Sequence, residues 1–212
     1  GALLDAGADA EYVEAGLRSL PLPGLALETS TVMRHGITAR RVSVLAPSER
    51  HVDRSWADVR GLLERAALPP RALERAHAVF AALARAEGRV HDLSPEAVRF
   101  HEVGALDAIG DVCGISLALE DLGVDELACS PLPAPHGLIS AAHGRLPLPA
   151  PATLELLRGA PLYGVDLEVE LVTPTGAAVI AALAAEFGPL PPMHLKSVGY
   201  GAGARELDER PN

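Results

Sequence analysis

The 212-residue chain is short of aromatic rings, of lysine and of cysteine. Aromatic residues supply 3% of it, with three Phe, three Tyr and one Trp. A core must therefore be built from Ala, Leu and Val, within an apolar fraction of 49% that is ordinary for a globular protein. Lysine occurs only at Lys196, and the formal net charge is -10. That balance excludes the clustered basic footprint a nucleic-acid partner requires. The two cysteines, Cys113 and Cys129, form neither a CxxC pair nor a disulfide framework. Both lie in apolar sequence and read as small buried hydrophobes in a reducing compartment, so a cytoplasmic setting is expected. No run approaches the roughly 18 apolar residues of a membrane span, and no leader-like stretch is visible. The chain opens on Gly1 without an initiator Met, so a preceding segment is expected.

What is present alternates between two periods. An apolar stripe over residues 2–20, interrupted at Gly7, predicts two short helices. Residues 25–46 alternate and are rich in Thr and Val, with Gly36 between the two runs, which predicts a hairpin or two strands. Ser55 caps a helix reaching about residue 67, Pro69-Pro70 breaks it, and a second helix is expected over 71–87 with Gly88 as its stop. Ser94-Pro95-Glu96 starts a short helix, and a longer one is expected over 107–122, closed by Gly123. A strand follows at 127–130. Residues 131–151, rich in Pro and Gly, read as a loop. A helix at 152–157, a strand at 162–171, a helix at 176–187 and a strand at 194–198 complete the pattern. The expected class is α/β (or α+β): a mixed sheet flanked by helices in one domain over 1–212, with a helical excursion at 50–100.

Four constellations carry chemistry. Phe100-His101-Glu102 followed by Asp107 and Asp111 packs imidazole and carboxylates into an apolar stretch, and the two aspartates share one helix face. A divalent cation wants that donor mix, although each residue alone reads equally as a cap, a solvated acid or a core histidine. Ala142-His143-Gly144 places an imidazole on a proline-stiffened loop, where it serves as ligand or base; His136 reads as a surface histidine. Thr173-Pro174-Thr175-Gly176 caps a helix whose open amides and dipole suit an anion. Gly199 to Gly203, with Gly201 at its centre and Arg205 after it, either cradles a phosphate or is a simple turn.

These stretches together resemble one family. FHEVGALDAIGDVCG (100–114), SPLP (130–133), AHGRLPLPAPATLELLRG (142–159), ELVTPTGAAVIAALA (170–184) and VGYGAGARELDERPN (198–212) are similar, in order, to the nickel-insertion proteins of lactate-racemase cofactor synthesis, the LarC family. GALLDAGAD (1–9) and RSWADVRGLLERAAL (54–68) fit as well. The resemblance covers nearly the whole chain and is densest from 99 to 212.

The resemblance implies a cytoplasmic, CTP-dependent nickel chelatase or cyclometallase that works with Mn2+ or Mg2+. It would place Ni(II) into pyridinium-3,5-bisthiocarboxylic acid mononucleotide to form the nickel-pincer cofactor. His101, Glu102 and His143 would hold the metal or take the ring proton. Asp107 and Asp111 would join the metal set or orient His101. Thr173, Thr175, Gly176, Gly201 and Arg205 would bind the substrate phosphate. Family members open with a strand and a Phe-Asp-Cys-Phe-Ser-Gly-like segment, and some carry a histidine-rich run near His51. They also continue beyond the 212th residue into a nucleotide-binding half, so the chain is expected to be an N-terminal half, homo-oligomeric when full length. The alternative is a non-catalytic domain that docks substrate or partners; a phosphate-binding domain without metal is a third reading.

Overall fold

A computed structural model describes residues 1–22, 24–46, 54–100, 106–141 and 143–207. The first stripe divides at Gly7 into α1 (Ala2–Asp5) and α2 (Ala10–Arg18), the latter capped by the Asp9 carboxylate on the Glu11 amide. β1 (Ala26–Arg34) and β2 (Ile37–Leu45) form an antiparallel hairpin with Arg34 opposite Ile37. Its two turn residues, His35 and Gly36, both have positive φ, 47° and 80°, as the tight turn matching strand twist demands.

β3 (Arg54–Ser55) leads into α3 (Trp56–Glu64), where Ser55 and Asp58 make a reciprocal capping box. α4 spans Pro70–His91, with Pro70 in its first turn. It does not stop at Gly88. The Asp92 and Leu93 amides both donate back to the Gly88 carbonyl, and Asp92 takes the left-handed position at φ 53°. That closure moves the helix end one turn past the expected one. Gly88 is instead a packing residue, since a Cβ there would lie 2.7 Å from the Leu93 carbonyl oxygen. A 3-10 turn at Pro95–Ala97 precedes β4 (Arg99–Phe100), which pairs antiparallel with β3.

α5 (Leu106–Asp121) ends at Gly123, φ 63°. β5 (Leu127–Cys129) follows as expected. The Pro-rich stretch expected as a loop holds β6 (Leu132–Ala134), β7 (Leu138–Ala141) and β8 (Gly144–Pro147). Two-stranded ladders consist only of edge strands, where proline is tolerated, so composition conceals them. After α6 (Pro151–Leu156), β9 covers only Leu162–Gly164. α7 (Pro174–Leu183) ends early, because residues of β10 (Ala184–Phe187) pair in parallel with β5. The strand expected at 194–198 is not formed. The prolines before it remove amide donors, and among the described residues this segment makes an isolated bridge to β2 at Gly201, through bonds between Arg40 and both Tyr200 and Ala202.

The class is the mixed α/β one expected. Its strands make five two-stranded ladders, three antiparallel and two parallel (β5–β10 and β6–β9), among the described residues. Helices supply the core. α4 packs against α3, α5, α6 and α7. Ala72, Ala76, Ala84, Ala177 and Ala178 are fully buried, and their small side chains let the helices approach closely. Three of the seven aromatics cluster, with Phe80 stacked on Trp56 at 6.5 Å and beside Phe100 at 6.1 Å. Arg75 joins Glu120 at 3.2 Å and the Val124 carbonyl, tying α4 to the end of α5. Cys113 is buried and desolvation pushes its thiol up to about 12, so it packs as an inert hydrophobe; Cys129 is half-buried. No helix among the described residues is long and apolar enough to cross a membrane.

Phe80 is wholly inaccessible. Its replacement by Ala is expected to cost about 3–5 kcal/mol of unfolding free energy, measured by urea denaturation. A loss below about 1 kcal/mol would remove the aromatic cluster from the centre of the folding account.

Candidate functional site

α7 carries almost no polar side chain beyond its first turn. Ala177 and Ala178 bury against the core, and the helix packs on α4 and α6. That packing fixes where its N-terminus lies. Thr173 is the cap, its Oγ1 accepting from the Gly176 amide at 3.1 Å, with Pro174 next in line. The first turn separates two clefts: Thr173, Thr175 and Gly176 line one, and Pro174 lines the other.

The first cleft, about 290 Å³, also contains Asp111 above an apolar floor that includes Leu4 and Val44. Gly110 lets the strand come this close, since a Cβ there would lie 2.5 Å from a Val44 methyl. Asp111 opens onto the cleft and keeps contact with water. The surrounding protein nevertheless crowds it. Desolvation first, and the Asp107 charge one turn earlier second, raise its pKa to about 6. Asp107 itself is exposed, with its carboxylate accepting from the Ala108 amide at 2.9 Å.

The second cleft, about 360 Å³, holds His143 and Glu170 together with Glu87 and His91 from the last two turns of α4. The rings of His91 and His143 have centroids 4.8 Å apart and planes inclined at 47°. Glu87 Oε2 stands 3.4 Å from His91 Nε2. Val90, Leu146 and Pro151 form an apolar wall beside these groups.

Measured against the sequence, the structure brings one residue of the first constellation, Asp111, into a cleft with Thr173, Thr175 and Gly176, whereas Asp107 lines neither cleft. It sets His143 apart in the neighbouring cleft. His101 and Glu102 lie outside the described residues. Among the described residues no three His, Cys, Asp or Glu side chains converge to hold a metal ion. Gly201 and Arg205 line neither cleft. The glycines of that segment let it lie close against α1, since a Cβ at Gly201 would stand 2.8 Å from the Ala2 nitrogen. His136 is an exposed partner of Asp166 at 2.8 Å, in keeping with its reading as a surface histidine. His91 and Glu87 are not anticipated by the sequence reading. Their signal is an acid and a histidine four positions apart on one helix face, and it is lost when the helix is ended at Gly88.

The chain matches the nickel insertion protein family over residues 1–212. A protein of Desulfotalea psychrophila named for nickel insertion is 52% identical, over 98% of this chain and 53% of its own length. The pyridinium-3,5-bisthiocarboxylic acid mononucleotide nickel insertion proteins of Desulfitobacterium hafniense and Staphylococcus saprophyticus are each 44% identical. They cover 98% and 97% of this chain, and 51% and 52% of their own lengths. The chain thus spans about half the length of the curated relatives it matches. No solved structure matches it.

The Asp111 shift has a signed consequence for stability. Its folded pKa, about 6, lies above the ordinary 3.8, so between those values the folded chain holds a proton that the unfolded chain has released. Stability from this group therefore falls as pH rises through that window and is level above it. Asp111→Asn cannot titrate. In metal-free buffer, urea denaturation should show the variant gaining on the wild type between pH 4 and pH 7. A difference that is constant across that range would contradict the crowded carboxyl.

Proposed function

The chain belongs to the nickel insertion protein family, and we propose that, as part of a longer protein, it inserts Ni(II) into pyridinium-3,5-bisthiocarboxylic acid mononucleotide. The observation that carries this reading is the first turn of α7. The Thr175 amide and the Thr173 and Thr175 hydroxyls, groups suited to a phosphate, belong to residues that line one cleft there, and an imidazole-bearing cleft adjoins it. Two relatives matched over nearly all of this chain are named for the same mononucleotide.

In this reading Ni(II) is a substrate. It ends with bonds to two thiocarboxylate sulfurs and to one ring carbon, and that carbon must lose its proton. Thr175, through its amide and hydroxyl, and Gly176, with Thr173 as cap, receive the phosphate, and Arg205 adds positive charge on the segment that includes Gly201. His101, Glu102 and His143 supply the metal donors and the base that accepts the ring proton. Asp107 and Asp111 orient His101 or complete the donor set. The reaction is that of a cyclometallase producing the nickel-pincer group of lactate racemase. CTP with Mn2+ or Mg2+ binds the half of the protein that this chain does not span, the full protein is a homo-oligomer, and it works in the cytoplasm. Residues 1–212 act as one domain of that protein.

Full-length protein given Ni(II), the mononucleotide and CTP should yield the metallated product, followed by mass spectrometry. His101→Ala is expected to slow it by about 10²-fold or more, the size of a general base's contribution. Unchanged turnover in that variant would assign this half to docking alone.

A further inference from the structure

The second cleft contains a histidine that the reading above leaves without a role. We infer that His91 and His143 form a two-point loading site for Ni(II), with Glu87 as the residue that positions His91. The inference deepens the proposed function and rests on it for the identity of the metal.

Three features of the cleft point to a cation. The two imidazoles lie 4.8 Å apart between ring centres, although they come from chain segments more than fifty residues apart. Two carboxylates, Glu87 and Glu170, line the same cleft, and no Lys or Arg is among its described lining residues. His91 also sits in the last turn of α4, where the helix dipole presents its negative end. Imidazole nitrogen selects Ni, Cu or Zn over Mg or Ca, for which oxygen donors are preferred.

The positioning role follows from tautomer logic. With the Glu87 carboxylate 3.4 Å from Nε2 of His91, a proton on Nε2 faces that carboxylate, and the tautomer so favoured leaves the Nδ1 lone pair for a metal. This is the carboxylate–histidine arrangement that fixes ring orientation and raises donor strength in metal sites. Two protein donors do not make a cage, consistent with the lack of any three-residue cluster among the described residues. An open site suits a metal that has to be handed on. Its remaining positions can be taken by water and then by the sulfurs of the acceptor. The apolar wall of Val90, Leu146 and Pro151 beside the pair matches a flat ring, in a cleft of about 360 Å³ that is within the usual range for small-molecule sites.

The test is Ni(II) titration of the full-length protein by calorimetry, with metallation of the mononucleotide measured on the same samples. His91→Ala and His143→Ala are each expected to weaken Ni(II) binding by more than tenfold. Glu87→Gln should weaken it by about tenfold, the low end for loss of an orienting partner. His136→Ala, at an exposed histidine elsewhere, should leave it unchanged. His143 is exposed on a hairpin turn, so its variant retains the fold even if His91→Ala does not. Wild-type nickel affinity in His143→Ala and in the double variant would overturn the loading site, while product formation by the wild-type protein would leave the functional reading standing. Nickel binding lost in both variants, from a wild type that never metallates the mononucleotide, would uphold the site and remove the function.

Discussion

Close packing of alanines along α4 is the constraint on which the other features depend. With so few aromatic rings, the chain cannot fill wide gaps between helices with bulk. It brings helix backbones together instead, through Ala72, Ala76 and Ala84 on α4 and Ala177 and Ala178 on α7. Close approach gains dispersion contacts from many atoms at once, and it leaves little tolerance for larger side chains. The exceptions prove instructive: Phe80, Trp56 and Phe100 cluster where α4 meets α3, beside the small β3–β4 ladder.

The same packing sets the chemistry. Because α7 lies against α4, its N-terminal turn falls between the cleft of Asp111 and the cleft of His91 and His143. The two clefts differ electrostatically. One has two threonine hydroxyls, a first-turn amide and a carboxyl whose proton affinity is raised by crowding; the other has two imidazoles and two carboxylates. In the proposed function the phosphate of the mononucleotide takes the first cleft and its metal-binding sulfurs the second. The shared wall between them is a turn whose position is fixed by buried alanines.

Much of this was legible in the sequence where one local rule acted alone. Gly7 and Gly36 marked real breaks, Ser55 and Thr173 were real caps, and Gly123 closed α5. The failures came where tertiary contact overrode a local signal. Gly88 reads as a stop, but the αL conformation at Asp92 carried α4 to His91, and that single turn concealed half of the histidine pair. Residues 184–187 continue an apolar helical pattern yet pair with β5. The prolines of 131–151 masked three short strands, including the hairpin that carries His143. That Asp111 would face Thr175 was not readable at all, since 64 positions separate them and only the packing of α5, β2 and α7 closes the distance.

The central claim is that this packing delivers nickel to the cleft between the end of α4 and the β7–β8 turn. Anomalous diffraction at the nickel edge, from crystals of the protein equilibrated with Ni(II), addresses it without reliance on turnover. The account predicts a peak within coordination distance of the imidazoles of both His91 and His143. A peak bound by other residues alone, or a cleft that stays free of nickel at saturating metal, would contradict it.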